Sequence, residues 1–199
     1  MRILIVGTNG DVGKAAVAEL NTRHDVVTAG RTTGDVRVDL LDAASISAMF
    51  QKAGKIDAVI ACAGHAHFGP LATMTQDQFM VGLKDKLMGQ VNLVLLGTKF
   101  VNDRGSFTLT SGVLDRDPIL KGANAATVNA ALKGFVTAAA IELERGIRIN
   151  VVSPGLLEAS ARKYAGAFPG HEMVSSARVG LAYAKSVEGA ITGQVIIVE

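Results

Sequence analysis

The stretch Arg2-Ile-Leu-Ile-Val-Gly7-Thr-Asn-Gly10-Asp-Val-Gly13 opens the chain with a short apolar run that leads into three glycines spaced three residues apart. A helical pattern follows at once. Gly7 permits a tight turn after a strand, Gly10 lets the backbone approach a pyrophosphate, and Gly13 lets the helix lie close to the sheet. The first N–H groups of that helix then face the anion, so the stretch predicts a dinucleotide-phosphate site.

The placement of these glycines between a strand and a helix favours a binding site over the alternative, a glycine-rich turn that binds nothing. The predicted cofactor contacts in this loop are Gly7, Thr8, Asn9, Gly10, Val12 and Gly13.

Composition limits the classes of protein to consider. The 199 residues are 49% hydrophobic and no Pro- or Ser-rich linker divides them, which predicts a single domain over 1–199. The 20 basic and 18 acidic residues give a net charge of +2 and are scattered, so no nucleic-acid partner is expected. No leader and no bilayer-length apolar run is evident, and Cys62 is the one cysteine, which predicts a cytoplasmic protein without a membrane partner.

Short β-rich runs alternate with longer helical patterns along the chain. The predicted strands are near residues 2–6, 25–29, 36–39, 57–62, 106–110, 147–152 and 194–198. The predicted helices are 11–22, 43–53, 76–102 with a break at Gly89, 123–145 and 176–187. This order predicts an α/β fold with a doubly wound, parallel, seven-stranded sheet of the Rossmann type. Cys62, at the end of an apolar strand, is interpreted as a buried small hydrophobe.

Arg31 stands about 20 residues past the glycines, where an acidic residue would hold the ribose hydroxyls of NAD. A guanidinium can instead pair with a 2′-phosphate, and Thr32 or Thr33 can add a hydroxyl donor. The sequence therefore predicts a preference for NADP(H), with NAD(H) as a further possibility. A solvent-facing arginine in a turn is the alternative.

Asp39, which ends the third predicted strand before a helix, can accept a hydrogen bond from the adenine amino group. Its neighbour Asp42 is placed to cap the next helix, a structural role that competes with a cofactor role in this segment.

Four stretches and one phrase resemble the short-chain dehydrogenase/reductase family along nearly the whole chain. They are Gly7 to Gly13, Ala61-Cys62-Ala63-Gly64, Thr108-Leu-Thr-Ser111, Ile147-Arg-Ile-Asn150-Val-Val-Ser-Pro154-Gly155 and Thr192-Gly-Gln-Val. The resemblance implies a nicotinamide cofactor held by Ala63, Gly64, Pro154 and Gly155 in addition to the glycine loop. It also implies that Ser111 is the catalytic serine that ends the fifth strand.

The chain departs from the family where the family carries a Tyr-x-x-x-Lys motif. Asn129-Ala-Ala-Leu-Lys-Gly-Phe135 aligns with the usual continuation of that motif, so Ala125 takes the tyrosine position and Asn129 the lysine position, where a cofactor contact is expected. Lys86-Leu-Met-Gly89 aligns with the family's Asn-Leu-x-Gly. The family's proton donor is therefore missing, and general acid–base catalysis of this kind contributes about 10²–10⁴-fold.

Lys86 is the first candidate to replace the missing acid, because a lysine at the asparagine position can approach Asn129 and Ala125. A structural lysine that reaches solvent or pairs with Asp85 is the alternative. Ser111 can orient a carbonyl group or cap the next turn.

His65 and His67 leave the fourth strand at the edge where α/β sheets bind ligands, so His65 in particular is a candidate acid or donor; surface roles are the alternative. No third ligand with suitable spacing accompanies the two histidines, so no metal is predicted. Tyr164 belongs to a segment that resembles the family's substrate lid, and Tyr183 is interpreted as a packed helix residue.

The predicted helix from Ala123 to Ala140 carries small residues around nearly its full circumference, which indicates burial on more than one side. With the helix over 90–102 it resembles the family's paired-helix interface, so a homodimer or homotetramer is expected.

Three functions are consistent with these sequence features. They are an NADP(H)-dependent oxidoreductase acting on a small carbonyl or alcohol with a remodelled acid–base site, an inactive NADP(H)-binding sensor or regulator, and a structural oligomer. The glycine loop together with Arg31 speaks against the third.

Overall fold

Seven parallel strands form the central sheet of the protein, of which the computed structural model describes residues 1–164 and 166–199. The strands are β1 (Arg2–Val6), β2 (Asp25–Gly30), β3 (Val36–Arg37), β4 (Ile56–Ala61), β5 (Val101–Thr110), β6 (Arg148–Pro154) and, after the short β7 (Leu156–Leu157) and β8 (Met173–Val174), β9 (Val195–Val198). Their order is β3-β2-β1-β4-β5-β6-β9. The chain runs outward in opposite directions from β1 and β4, and the crevice at such a reversal is where open α/β sheets bind ligands.

Helices cover both faces of this sheet, as the doubly wound prediction requires. They are α1 (Asp11–Leu20), α2 (Ala43–Ala53), α3 (Gln76–Gly82), α4 (Gly89–Gly97), α5 (Ala123–Glu142) and α6 (Ser176–Glu188). Side chains of β1 alternate between the faces: Leu4 joins the core under α2, α4 and α5, whereas Ile5 joins the core under α1 and α6. Both are fully buried, which is why β1 is apolar at every interior position.

The helix break predicted at Gly89 extends over the six residues before it. A π-helical turn over Leu83–Met88, with hydrogen bonds between residues five apart, separates α3 from α4. The helical region also ends earlier than predicted, at Gly97, where an added Cβ would lie 2.5 Å from the ring of Phe50. Gly97 therefore lets α4 pack closely on α2.

The fifth strand begins five residues before its predicted start. Val101 pairs with Ile56 and Ser106 pairs with Ala58, so the polar residues between Val101 and Ser106 form a bulge. Arg145 stabilises this bulge by donating to the Val101 carbonyl at 2.9 Å. The low strand propensity of Asn-Asp-Arg-Gly explains why the sequence pattern did not reveal it.

The capping prediction for Asp42 is confirmed, whereas Cys62, predicted as a buried strand residue, is only partly buried and lines the cleft at the end of β4. Asp42 caps α2 by accepting from the Ala44 N–H at 2.8 Å. Cys62 lies one residue past β4, where its N–H donates to the Val6 carbonyl at 2.8 Å. Burial raises the pKa of the Cys62 thiol to about 12, so the thiol stays protonated.

The described residues contain no helix with the length and apolar character needed to cross a bilayer. Over the same residues, no group of three or more His, Cys, Asp or Glu side chains is placed to hold a metal ion.

Candidate active site

A cleft of about 760 Å³ follows the carboxyl ends of the central strands. It brings together the predicted residues from distant parts of the chain. Those that line it are Gly7, Thr8, Asn9, Gly10, Val12, Arg31, Thr32, Asp39, Ala63, Gly64, His65, Lys86, Ser111, Asn129, Pro154 and Gly155. The third loop glycine, Gly13, is not a lining residue but packs beneath the loop.

The glycine loop has the close contacts expected from its spacing. Gly7 has a φ of +91°, and an added Cβ would lie 2.7 Å from the Cβ of Ala63. A Cβ on Gly13 would overlap the Gly7 carbonyl oxygen. Gly10, the N-cap residue of α1, has only distant neighbours, with Gly7 O at 3.9 Å. The first two contacts close the turn, and the open space at Gly10 leaves the helix N-terminus accessible.

Arg31 is an exposed cation at the rim of the cleft, just past β2. The Thr33 hydroxyl next to it accepts from Asn9 Nδ2 at 2.5 Å, which links this turn to the glycine loop. Asp35 in the same turn faces Thr28, whose N–H and hydroxyl donate to it at 2.9 and 2.7 Å and hold the pKa of its carboxyl below the usual range. Both Thr28 contacts are to Asp35 Oδ2, so this oxygen is directed to Thr28 and not to Arg31.

Asp39 lines the cleft but has a structural contact as well. Its Oδ1 accepts from the Leu41 N–H at 3.0 Å, and its own N–H donates to Ser45 Oγ at 2.9 Å. The second carboxylate oxygen remains the candidate acceptor for a ligand.

The Lys86 side chain crosses from the π-helical turn to α5. Its Nζ donates to Asn129 Oδ1 at 2.6 Å and to the Ser111 carbonyl at 3.0 Å. Gly64, with a φ of +129°, permits this approach, because an added Cβ would lie 2.7 Å from the Lys86 Cα. The residue keeps some exposure, but its ammonium is enclosed, and burial lowers the pKa of Lys86 to about 8 against an opposing effect of Asp115. The alternative prediction, a Lys86–Asp85 ion pair, is wrong, because Asp85 pairs with His65.

Asp85 pairs instead with His65, whose Nδ1 lies 2.9 Å from Asp85 Oδ2. His65 is 77% exposed at the rim of the cleft. His67 is not among the residues that line the cleft; its N–H donates to Asn124 Oδ1 at 2.9 Å. The two alternate histidines therefore have different surroundings, and of the two only His65 lines the cleft.

Ser111 is buried at the end of β5, and its hydroxyl donates to Asp115 Oδ2 at 3.2 Å. Asp115 was not predicted from the sequence, because a lone acidic residue in a loop gives no signal without knowledge of the turn that folds it under Ser111. Tyr164, in the predicted lid segment, lines the cleft as well, and it packs edge to face at 5.9 Å against Phe168, which was not predicted.

The position of the family tyrosine offers no phenol. Ala125 is buried there against Val113 and Leu114. Tyr183 is fully buried in α6, as predicted, and its hydroxyl lies 2.5 Å from Thr110 Oγ1. Burial raises the pKa of Tyr183 well above its ordinary value, so the phenol keeps its proton at neutral pH, and Tyr183 is not among the residues that line the cleft.

The fold and cleft define a Rossmann-type protein with a nucleotide-binding loop at the switch point of its sheet. The chain belongs to the short-chain dehydrogenase/reductase family of oxidoreductases, because a family model described as enoyl-(acyl carrier protein) reductase matches residues 1–188. No curated protein gives a significant match to the sequence.

Solved structures agree with this assignment. The protein lin1944 from Listeria innocua is 46% identical, with a TM-score of 0.98 and 100% of both chains covered. A small-chain dehydrogenase in complex with NADPH is 26% identical, with a TM-score of 0.88, and the alignment covers 100% of this chain and 96% of that one. A dehydrogenase/reductase from Sinorhizobium meliloti, 18% identical, has a TM-score of 0.84 over 99% of this chain and 92% of its own, and shows the shared fold.

Proposed function

We propose that the protein is an NADP(H)-dependent oxidoreductase that interconverts a small carbonyl compound and its alcohol, with Lys86 in the acid–base role. The observation that carries this proposal is the position of Lys86 Nζ, 2.6 Å from Asn129 Oδ1 and 3.0 Å from the Ser111 carbonyl. All three residues line the cleft that also contains the glycine loop.

The contact between Lys86 and Asn129 supports the idea that the lysine and the asparagine of the family site have exchanged positions between α5 and the π-helical turn. In the resemblance to the family, lysine belongs at position 129 and asparagine at position 86, and this chain has the reverse. Since the two side chains touch, the cleft keeps a lysine ammonium and an asparagine amide close together. This contact supports the proposal that Lys86 takes over the roles of the family lysine and tyrosine, which are to contact the nicotinamide ribose and to transfer the proton.

Lys86 can perform both halves of the proton chemistry. When bound, the nicotinamide supplies or accepts the hydride at the substrate carbon. With a pKa of about 8, Lys86 is mostly protonated at pH 7 and can donate a proton to the substrate oxygen that gains negative charge. In the reverse direction the neutral amine takes the proton from the alcohol. At the rim, His65 is proposed as a hydrogen-bond donor to the substrate.

The preference for NADP(H) is proposed on the surroundings of Arg31. Its guanidinium is exposed at the cleft beside Thr32, and the nearby carboxylate of Asp35 is bound by Thr28. A 2′-phosphate at this position would meet a cation and a hydroxyl donor. The NADPH complex of a related dehydrogenase agrees with this proposal.

An inactive NADP(H)-binding sensor is the second candidate, and a specific observation favours it. Ala125 fills the position of the family tyrosine, and the Tyr183 hydroxyl faces Thr110 instead of the cleft. Such a protein would bind the cofactor tightly and transfer no hydride.

Calorimetric titration with NADPH and NADH, followed by turnover of the saturated complex against a panel of carbonyls and alcohols, tests both candidates. We expect NADPH binding, turnover, and its loss in Lys86→Met. Lys84→Met is the matched control, because Lys84 lies in the same π-helical turn but is exposed and outside the cleft lining. Binding without turnover would favour the sensor, and no binding of either cofactor would exclude both.

A further inference from the structure

A buried carboxylate lies directly behind Ser111, outside the residues that line the cleft. The Asp115 side chain has no exposed surface. Its Oδ2 accepts from Ser111 Oγ and from Ser153 Oγ, each at 3.2 Å, and its Oδ1 accepts from an Arg116 nitrogen at 3.1 Å. A carboxylate removed from water stays ionised only with such donors around it. Both carboxylate oxygens of Asp115 therefore have donors within hydrogen-bond distance.

Two cations, Arg116 and Lys133, pair with the Asp115 carboxylate. Arg116 also donates to Glu199 Oε1 at 2.7 Å, so its charge is divided between two carboxylates. Lys133, one helical turn beyond Asn129, places its Nζ 3.7 Å from Asp115 Oδ2. Lys133 remains partly exposed, which weakens its effect through solvent screening.

Asp115 also fixes the turn that holds the catalytic candidates. The Ser111 carbonyl accepts from Lys86, and the Gly112 carbonyl accepts from Asn129 Nδ2 at 3.3 Å. Asp115 binds both ends of this turn, because its carboxylate accepts from Ser111 Oγ and its N–H donates to the Gly112 carbonyl at 3.2 Å. Loss of the Asp115 contacts would therefore shift the Ser111–Gly112 backbone and, with it, the carbonyl that accepts from Lys86.

The direction of the Ser111 hydroxyl follows from the same contacts. An ionised carboxylate can only accept, so the one hydroxyl proton of Ser111 is donated to Asp115 and its oxygen offers lone pairs to other partners. The Lys86 ammonium has three protons and uses two of them on Asn129 and the Ser111 carbonyl. The third proton is the one that this pair of residues can offer to a substrate oxygen.

We infer that Asp115 is a positioning residue of the candidate site: its carboxylate holds the Ser111–Gly112 turn against Lys86 and supplies the negative charge opposite the Lys86 ammonium. The catalytic meaning of this inference rests on the proposed function, but the charge effect does not. Asp115 raises the pKa of Lys86 against the larger effect of burial. Of the other charged groups in this region, Asp85 pairs with His65, and Lys133 on α5 pairs with Asp115 itself.

Asp115→Asn tests the inference, because it keeps the shape of the side chain and removes its charge. Protein carrying carbon-13 lysine is titrated by NMR without cofactor or substrate, and the Lys86 signal is assigned by its loss in Lys86→Met. We expect the Lys86 midpoint to fall below that of the unmodified protein. Asp117→Asn is the matched control, since Asp117 is exposed and pairs with His171, and it should leave the midpoint unchanged.

Lys133→Met gives a second and opposite expectation. It removes a partly exposed cation that lies 3.7 Å from Asp115 Oδ2, so less of the Asp115 charge is offset and the Lys86 midpoint should rise. If the enzyme turns over, the pH at which reduction declines should move with the midpoint in both variants.

An Asp115→Asn midpoint equal to that of the unmodified protein would overturn the inference, and so would a Lys133→Met midpoint that stays or falls. If Asp115→Asn does not fold, the Lys86 midpoint in Lys133→Met alone decides whether the inference holds. The titration needs no turnover, so a catalytically silent protein would contradict the proposed function and leave this result readable.

Discussion

Lys86 is a cation enclosed between two neutral oxygens, those of Asn129 and the Ser111 carbonyl. Such a group destabilises the folded state at neutral pH, because burial lowers its pKa from 10.5 to about 8. A protein keeps an unfavourable group of this kind where chemistry uses it, and the enclosed ammonium is therefore consistent with the proposed acid–base role.

Lys86→Met should stabilise the protein at pH 7 by about 1–3 kcal/mol, since each pKa unit is about 1.4 kcal/mol and the two oxygens lose their donor. Between pH 8 and 10.5 the unfolded state binds a proton that the folded state does not, so the unmodified protein gains stability there and the difference shrinks. Urea denaturation at pH 7 and pH 10, with Lys84→Met beside it, measures both effects. A less stable Lys86→Met, or a difference that grows with pH, would contradict this account.

The same pKa sets the expected pH dependence of activity. Reduction needs the protonated amine and should decline as the pH rises through about 8, whereas oxidation needs the neutral amine and should increase over the same range. Initial rates in both directions, at saturating cofactor, check this. Parallel profiles in the two directions would point to another proton donor.

Arg31→Ala should weaken NADPH binding by about tenfold to 100-fold, because a charge-assisted hydrogen bond contributes about 1.5–3 kcal/mol. NADH has no 2′-phosphate, and its affinity should stay unchanged. Arg37→Ala is a suitable control, since Arg37 is exposed on β3, outside the cleft lining. Calorimetry of the three proteins with both cofactors decides the matter, and equal losses for NADPH and NADH would remove Arg31 as the selectivity residue.

Among the elements, α1 depends on a glycine whose role follows from packing. Gly13→Ala would press a Cβ into the Gly7 carbonyl and to 2.8 Å from the Thr8 Cα, so we expect a loss of about 1–3 kcal/mol and weaker cofactor binding. Gly134→Ala is the matched control in α5: no atom lies within 4 Å of its added Cβ, and the change should stabilise by about 0.5–1 kcal/mol. Urea midpoints that move in the same direction for both would show that the glycine loop is not close-packed.

The strand and helix order was predictable because its signals are local. The apolar run before Gly7 and the strand-helix alternation indicate the sheet without any knowledge of contacts. The bulge in β5 was not predictable, because Arg145 stabilises it from a distant part of the chain. Asp115 escaped prediction for the same reason: its carboxylate contacts Ser153 on a neighbouring strand. The π-helical turn around Lys86 likewise depends on packing against Gly64 and α5.

On the scale of the whole molecule, α4 and α5 cover the same face of the sheet, and each leaves an apolar side chain in solvent. Leu95 on α4 is 63% exposed and Ile141 on α5 is 88% exposed. A two-fold axis between copies would pair such a surface with itself, since a C₂ interface uses the same patch on both subunits. We therefore propose that these two helices form the homodimer interface, with a tetramer as the further assembly.

Light scattering should give at least twice the chain mass of 20.6 kDa for the unmodified protein. Ile141→Glu would place a charge in the proposed apolar contact, so we expect this variant to dissociate to the monomer. Leu120→Glu is the control, because Leu120 is 92% exposed in the loop before α5 and should leave the mass unchanged. A concentration-independent monomer in the unmodified protein would contradict the interface, and the exposed Leu95 and Ile141 would then be isolated apolar side chains of the kind common on monomer surfaces.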